Sequence, residues 1–249
     1  MPEVSEPNKV TEAVLVEPSG TSAPGQTLFE IAVCSGIPTT LAVQALFAAL
    51  GLDAHTILGS AKWIALFIFC ESLTLMGLMI AFQALRRSTL WDLGVIPSSI
   101  KREVCLGIAL VPALFFFNWM ISSLFQMFLP MYSSPRNPLL DLIQTRGDLV
   151  FFVLLAIWAG GIKEELQRAF ILNRFKVHLS IPIIGLLIWS IAFGAGHALQ
   201  GVDSAIGAGV YGLLFGAVYL WRGSILGPMV AHSLYDVVVL MGYWFTRTP

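Results

Sequence analysis

The apolar residues of this chain fall in blocks of roughly 20, the length an α-helix rising about 1.5 Å per residue needs to cross a hydrocarbon core about 30 Å thick. Inside such a core every backbone N–H and C=O must be satisfied within the protein, which leaves only helices or closed barrels. Barrel strands would alternate apolar and polar side chains, and the blocks show no such alternation. Composition agrees: 57% of residues are hydrophobic, 12% are charged, and mean hydropathy is +0.80. A soluble domain carries about 25% charged residues. An all-α, polytopic membrane helix bundle is the predicted fold class.

Seven spans are predicted near residues 28–50, 62–85, 104–129, 148–173, 181–200, 204–221 and 224–245. The segment 1–26 reads as a disordered N-terminal tail, polar and acidic, with Glu3, Glu6, Glu12 and Glu17 against Lys9. It lacks the basic start and apolar core of a secretory signal, so the first span is expected to direct insertion. Residues 27–249 read as a single membrane domain without internal repeats. An odd number of spans puts the termini on opposite sides, and cytoplasmic loops collect Lys and Arg. With the N-terminus inside, Lys9, Arg86, Arg87, Lys101, Arg102, Arg174, Lys176 and Arg222 are cytoplasmic. Only Lys62, Arg136, Arg146 and Arg247 lie outside. The expected location is therefore a cell inner membrane, multi-pass, with a cytoplasmic N-terminus and membrane lipid as a partner. The connector from Arg86 to Arg102 would lie at the inner interface, with Trp91 and Leu93 at the headgroups. Net charge of −1 and no basic stripe speak against nucleic acid.

Ionisable groups inside such spans cost roughly 2.5–3.5 kcal/mol each on translocon scales, so those that persist usually pair, line a polar cavity or act chemically. Glu30 lies near a span end and is expected to reach the interface, whereas Glu71 lies in mid-span and needs a bundle partner or a cavity. Cys34, Cys70 and Cys105 show no CxxC spacing and read as buried small hydrophobes. The densest patch is Lys163-Glu164-Glu165-Leu166-Gln167-Arg168. Residues four apart share a helix face, so Glu164 is expected to meet Arg168, with Glu165 about 100° further round. That pair could lock helix register, or it could keep a carboxylate ionised for catalysis.

A second patch, Phe193-Gly194-Ala195-Gly196-His197, puts an imidazole beside two glycines that permit close approach of a backbone or a substrate. A third sets His232 one turn before Asp236, which is expected to accept the ring N–H and fix its tautomer. A carboxylate, two histidines and an orienting acid can make a hydrolase in two ways. Glu164, His197 and His232 could hold a divalent metal such as zinc that acidifies water. Alternatively, Glu164, or Glu165 in competition with it, could deprotonate water while a histidine orients it. Arg168 would then hold Glu164 or offset developing negative charge.

Taken in order, the three patches resemble the CPBP family: the type II CAAX prenyl endopeptidases and their bacteriocin-processing and self-immunity relatives. The resemblance covers roughly residues 148–240, with Phe193 and His197 matching the second motif and His232 with Asp236 the last. It implies an intramembrane endopeptidase acting on membrane-associated protein or peptide substrates, including prenylated CAAX-type ends. The catalytic set carried over is Glu164, Glu165, Arg168, His197, His232 and Asp236. The first motif departs from the family's Glu-Glu-x-x-x-Arg, because Arg168 follows Glu165 by one residue too few. Keeping the register of Arg168-Ala169-Phe170 puts Lys163 at the first glutamate. Lys163 thus favours an alternative, a degenerate, non-proteolytic membrane scaffold or immunity protein. Two readings outside the family also stand: an ion-coupled carrier using Glu71, Glu164 and His232, and a haem carrier using His197 and His232 as axial ligands.

Overall fold

The computed structural model describes residues 24–95, 99–134 and 137–246. The expected tail lies outside the described residues as far as residue 23, and Pro24 to Gln26 already belong to a helix. Lys9, Arg136 and Arg247 also lie outside them, as does part of the Arg86–Arg102 connector. Among the described residues the chain is helical throughout, with no strand.

The first predicted span is two helices, α1 (Pro24–Val33) and α2 (Ile37–Ala49), bent by 43°. The bend falls at Gly36, whose φ of +94° is costly for any residue with a Cβ, and Pro38 follows two residues on, in the first turn of α2. A short helix α3 (Ala54–Leu58) leads into α4 (Ala61–Leu85), and after the connector comes α5 (Ile100–Phe128). The fourth predicted span is a continuous helical run with two changes of pitch. α6 (Arg146–Leu155) passes into a π-helical stretch (Ala156–Glu164), then α7 (Glu165–Asn173), then a second π-helical stretch (Arg174–His178). α8 (Pro182–Gly196), α9 (Val202–Arg222) and α10 (Leu226–Thr246) complete the bundle.

Helices thus occupy all seven predicted segments, but among the described residues only α4, α5 and α9 are each long and apolar enough to cross a bilayer alone. The bent pair α1 and α2 would make a fourth. The other segments fall short for identifiable reasons. The run from Arg146 is divided by changes of pitch, α8 has 15 residues, and α10 carries His232 and Asp236 within its apolar face.

Helix contacts are made where small residues let backbones approach, which is how helices associate when lipid removes the hydrophobic drive between them. A Cβ at Gly194 of α8 would sit 2.7 Å from the Ala205 carbonyl of α9, and one at Gly107 of α5 would sit 2.7 Å from the Gly227 carbonyl of α10. Buried ions join distant parts of the chain. Glu30, expected at the interface, is instead fully buried and shared by Arg86, 2.9 Å away, and Arg174, 2.7 Å away. A carboxylate in this interior needs both guanidiniums more than it needs the headgroups, and the shared pair ties α1 to α4 and to the end of the Arg146 run. Leu93, also expected at the interface, is buried in the core, while Trp91 is exposed. Of the cysteines only Cys34 is buried; Cys70 is intermediate and Cys105 exposed, because α5 presents much of its apolar surface outward.

Candidate active site

The π-helical stretch decides the geometry. Hydrogen bonds from i to i+5 widen the turn and change the direction in which the next residues point. The stretch ends at Glu164 and an ordinary helix begins at Glu165, so the two adjacent acids diverge. It is Glu165, not Glu164, that forms an ion pair with Arg168, at an i,i+3 spacing. The expected Glu164–Arg168 pair does not form, because the pitch changes between Glu164 and Glu165 and residues four apart no longer share a face there.

Glu165 and Arg168 are each only 1% exposed. The guanidinium lies between two aromatic faces, 4.7 Å from the Phe193 ring centre and 5.3 Å from that of Phe215, an arrangement that stabilises a desolvated cation. Its Nε and Nη2 have no hydrogen-bond partner among the described residues, so ring stacking and Glu165 carry its charge. Arg168 is therefore turned away from Glu164 and holds Glu165 instead.

Glu165 in turn holds His232. Its Oε1 lies 2.8 Å from His232 Nδ1, and since an ionised carboxylate can only accept, the proton is assigned to Nδ1. In the neutral ring this leaves His232 Nε2 as an acceptor. Asp236, expected to orient the ring, instead faces Nε2 at 3.7 Å, beyond hydrogen-bond distance. One turn of α10 brings Asp236 to the same edge of the ring as Glu164, whose Oε2 lies 3.9 Å from Nε2. Nε2 thus looks out between two carboxylates, neither in direct contact with it. Glu164 is the more accessible of the acidic pair, its side chain 18% exposed.

Gly160 and Gly161 clear this space. A Cβ at Gly160 would sit 2.6 Å from Asp236 Oδ2 and 3.5 Å from His232 Nε2; one at Gly161 would overlap Ser233 Oγ. The Ala156–Glu164 stretch can approach α10 at this level only because both residues lack side chains.

His197 caps α8, which stops at Gly196. The shortened helix brings it toward the site: its ring lies 4.7 Å from that of Phe193, which is 6.4 Å from that of His232. Its Nδ1 donates to the Phe193 carbonyl at 2.8 Å. The expected close approach at Gly194 is made by α9, whereas a Cβ added at Gly196 would meet nothing within 4 Å. Glu71 pairs with Lys163 at 3.4 Å and so stands next to the site from α4.

Among the described residues no group of three or more His, Cys, Asp and Glu side chains is arranged to hold a metal ion. Glu164, His197 and His232 do not converge as a ligand set here.

Several contributors were not legible in the residue pattern. Phe215 appears only as another apolar residue of its span, and the roles of Gly160 and Gly161 depend on a neighbour some seventy positions away. The signal available was two consecutive glycines directly before the charged patch, a costly sequence in a helix unless something packs against it. Beside the site, Ile162, Leu166 and Met229 join Trp91, Leu90 and Ile80 in lining an almost wholly apolar cavity of about 530 Å³.

Residues 146–238 match a family model described as type II CAAX prenyl endopeptidase Rce1-like. The matched segment contains every candidate catalytic residue and supports membership of the CPBP family, a family of proteases. No curated protein and no solved structure matches the chain.

Proposed function

We propose that this chain is an intramembrane endopeptidase that hydrolyses peptide bonds of membrane-associated substrates with water activated by Glu164 and oriented by His232. The observation that carries the reading is the open edge of His232: Nε2 faces Glu164 and Asp236 across a space cleared by Gly160, while Glu165 and Arg168 fix the ring from behind. A water in that space donates one hydrogen to Nε2 and gives the other to Glu164 as its oxygen adds to the substrate carbonyl. The protonated Glu164 then delivers that proton to the leaving amine as the tetrahedral adduct collapses. Positioned acid–base groups of this kind contribute about 10²- to 10⁴-fold. Glu165 acts through His232, and Arg168 keeps Glu165 charged. His197, packed on the Phe193 ring beside the site, contacts the incoming chain. No step runs through a metal, for which the donors lack a converging arrangement.

The apolar cavity flanking Ile162, Leu166 and Met229 suits the hydrophobic part of a substrate, a prenylated C-terminus included. On this reading residues 27–249 form one membrane domain in a cell inner membrane with the N-terminus cytoplasmic. The competing reading is a non-proteolytic scaffold or immunity protein, favoured by Lys163 where the family pattern has glutamate.

The test is cleavage of quenched C-terminal peptides, prenylated and unprenylated, by detergent-purified protein beside Glu164→Ala and His232→Ala. Turnover by the wild-type chain that both variants lose supports the hydrolase. Turnover that survives either substitution removes that residue from the mechanism, and a wild-type chain that cleaves neither peptide favours the scaffold.

A further inference from the structure

The two adjacent acids of the site are each served by a different cation. Glu165 has Arg168, within its own helix. Glu164 has Lys163, whose Nζ lies 3.7 Å from its Oε1. Lys163 is buried, and its flexible stem would let the ammonium wander unless something else held it. Glu71 of α4 supplies that hold, with Oε2 3.4 Å from Nζ. Glu71 Oε1 in turn lies 3.1 Å from the Thr39 hydroxyl, whose proton is shared with the Gly36 carbonyl 2.8 Å away at the bend between α1 and α2.

The line from Thr39 through Glu71 and Lys163 thus ends on the accessible carboxylate at the open edge of His232. An ion pair serving only to fasten α4 to the Ala156–Glu164 stretch would not need to touch Glu164.

We infer that Glu71 and Lys163 are positioning residues of this site: Glu71 aims the Lys163 ammonium at Glu164, and the ammonium fixes the direction in which that carboxylate faces His232 Nε2. The inference rests on the hydrolase reading above. It also changes the meaning of Lys163, which departs from the family pattern yet becomes a working part of this site, with its counter-ion supplied from an N-terminal helix outside the matched segment. A mobile carboxylate spends less time aligned with its water, and misplacement by about 1 Å can cost on the order of 100-fold in rate.

The experiment separates positioning from fastening. The full chain in detergent is assayed for kcat, KM and thermal midpoint as wild type, Lys163→Met, Lys163→Arg, and the double variant Glu71→Gln with Lys163→Met. Lys163→Met alone leaves Glu71 buried without a counter-ion, so it is expected to melt earlier and to lose about 10- to 100-fold in kcat. The double variant removes both charges and is expected to regain the wild-type melting temperature while remaining slow, with KM within about threefold of wild type. Lys163→Arg is expected to recover most of the rate. A double variant that regains kcat together with its melting temperature would overturn the inference, since the pair would then be a fastening only. So would a loss confined to KM. If the wild-type chain cleaves neither peptide, the hydrolase reading fails and this inference fails with it; an active wild type beside a fast double variant sinks the inference alone.

Discussion

Replacing Gly160 by alanine puts a single methyl group into the space beside His232 Nε2 that the proposed mechanism assigns to water. The added Cβ would stand 2.6 Å from Asp236 Oδ2, so the carboxylate must retreat by about 0.8 Å to reach ordinary contact near 3.4 Å. His232 Nε2, at 3.5 Å, need not move. Small overpacking of this kind costs about 1–3 kcal/mol. The yielding atom is the end of a side chain, which puts the cost at the low end, and alanine in place of glycine in a helix returns about 0.8–1 kcal/mol. Stability should therefore change by no more than about 1–2 kcal/mol in either direction. Activity should change far more, because the methyl fills the space between Nε2 and the Asp236 carboxylate. A loss of about 100-fold in kcat/KM corresponds to about 2.7 kcal/mol of transition-state stabilisation. The assay is peptide cleavage in detergent, with thermal unfolding followed on the same preparation. If Gly160→Ala melts like wild type and cleaves like wild type, the face bordered by Gly160 is not where the reaction occurs. If it fails to fold, Asp236 cannot retreat from the added methyl group.

Glu165→Gln should be costly in a different way: it strands the buried Arg168 charge between two aromatic rings, a loss of about 3–5 kcal/mol that chemical denaturation in detergent would measure. An unchanged midpoint would mean that the rings alone sustain the guanidinium. Glu30→Gln removes the carboxylate shared by Arg86 and Arg174 and should lower stability by a similar ~3–5 kcal/mol; because Glu30 touches no catalytic group, protein that remains folded should keep its kcat. Gly161→Ala should clash with Ser233 Oγ, and Ser233→Ala should relieve that clash, giving a double-mutant coupling of about 1–2 kcal/mol in unfolding free energy. Strict additivity would show that the Ala156–Glu164 stretch and α10 are less tightly apposed at this level.

The class of protein and the positions of its helices follow from the chain alone, because the length and hydropathy of each block are local properties. Each predicted segment from 28–50 to 224–245 holds a helix; the first and third ionisable patches meet at His232, and the second reaches that ring through Phe193. Hydropathy could not say how many of those helices cross a bilayer unaided, since the bend at Gly36 and the changes of pitch after Leu155 depend on what packs beside them. Nor could spacing assign partners. It gave Glu164 to Arg168 and Asp236 to the histidine ring, and the structure gives Glu165 to both. Periodicity carries a side chain's direction only while pitch is constant, and a wide turn ending between Glu164 and Glu165 reverses which acid faces inward. Glu30 teaches the same lesson at longer range. Sequence position near a span end suggested the headgroups, but two arginines far along the chain make its interior site the better solvated one. What the residues settled was that charge would be buried in this membrane chain; which charges neutralise one another was left to tertiary packing, because in a low-dielectric interior a partner's distance in space, rather than in sequence, sets the energy.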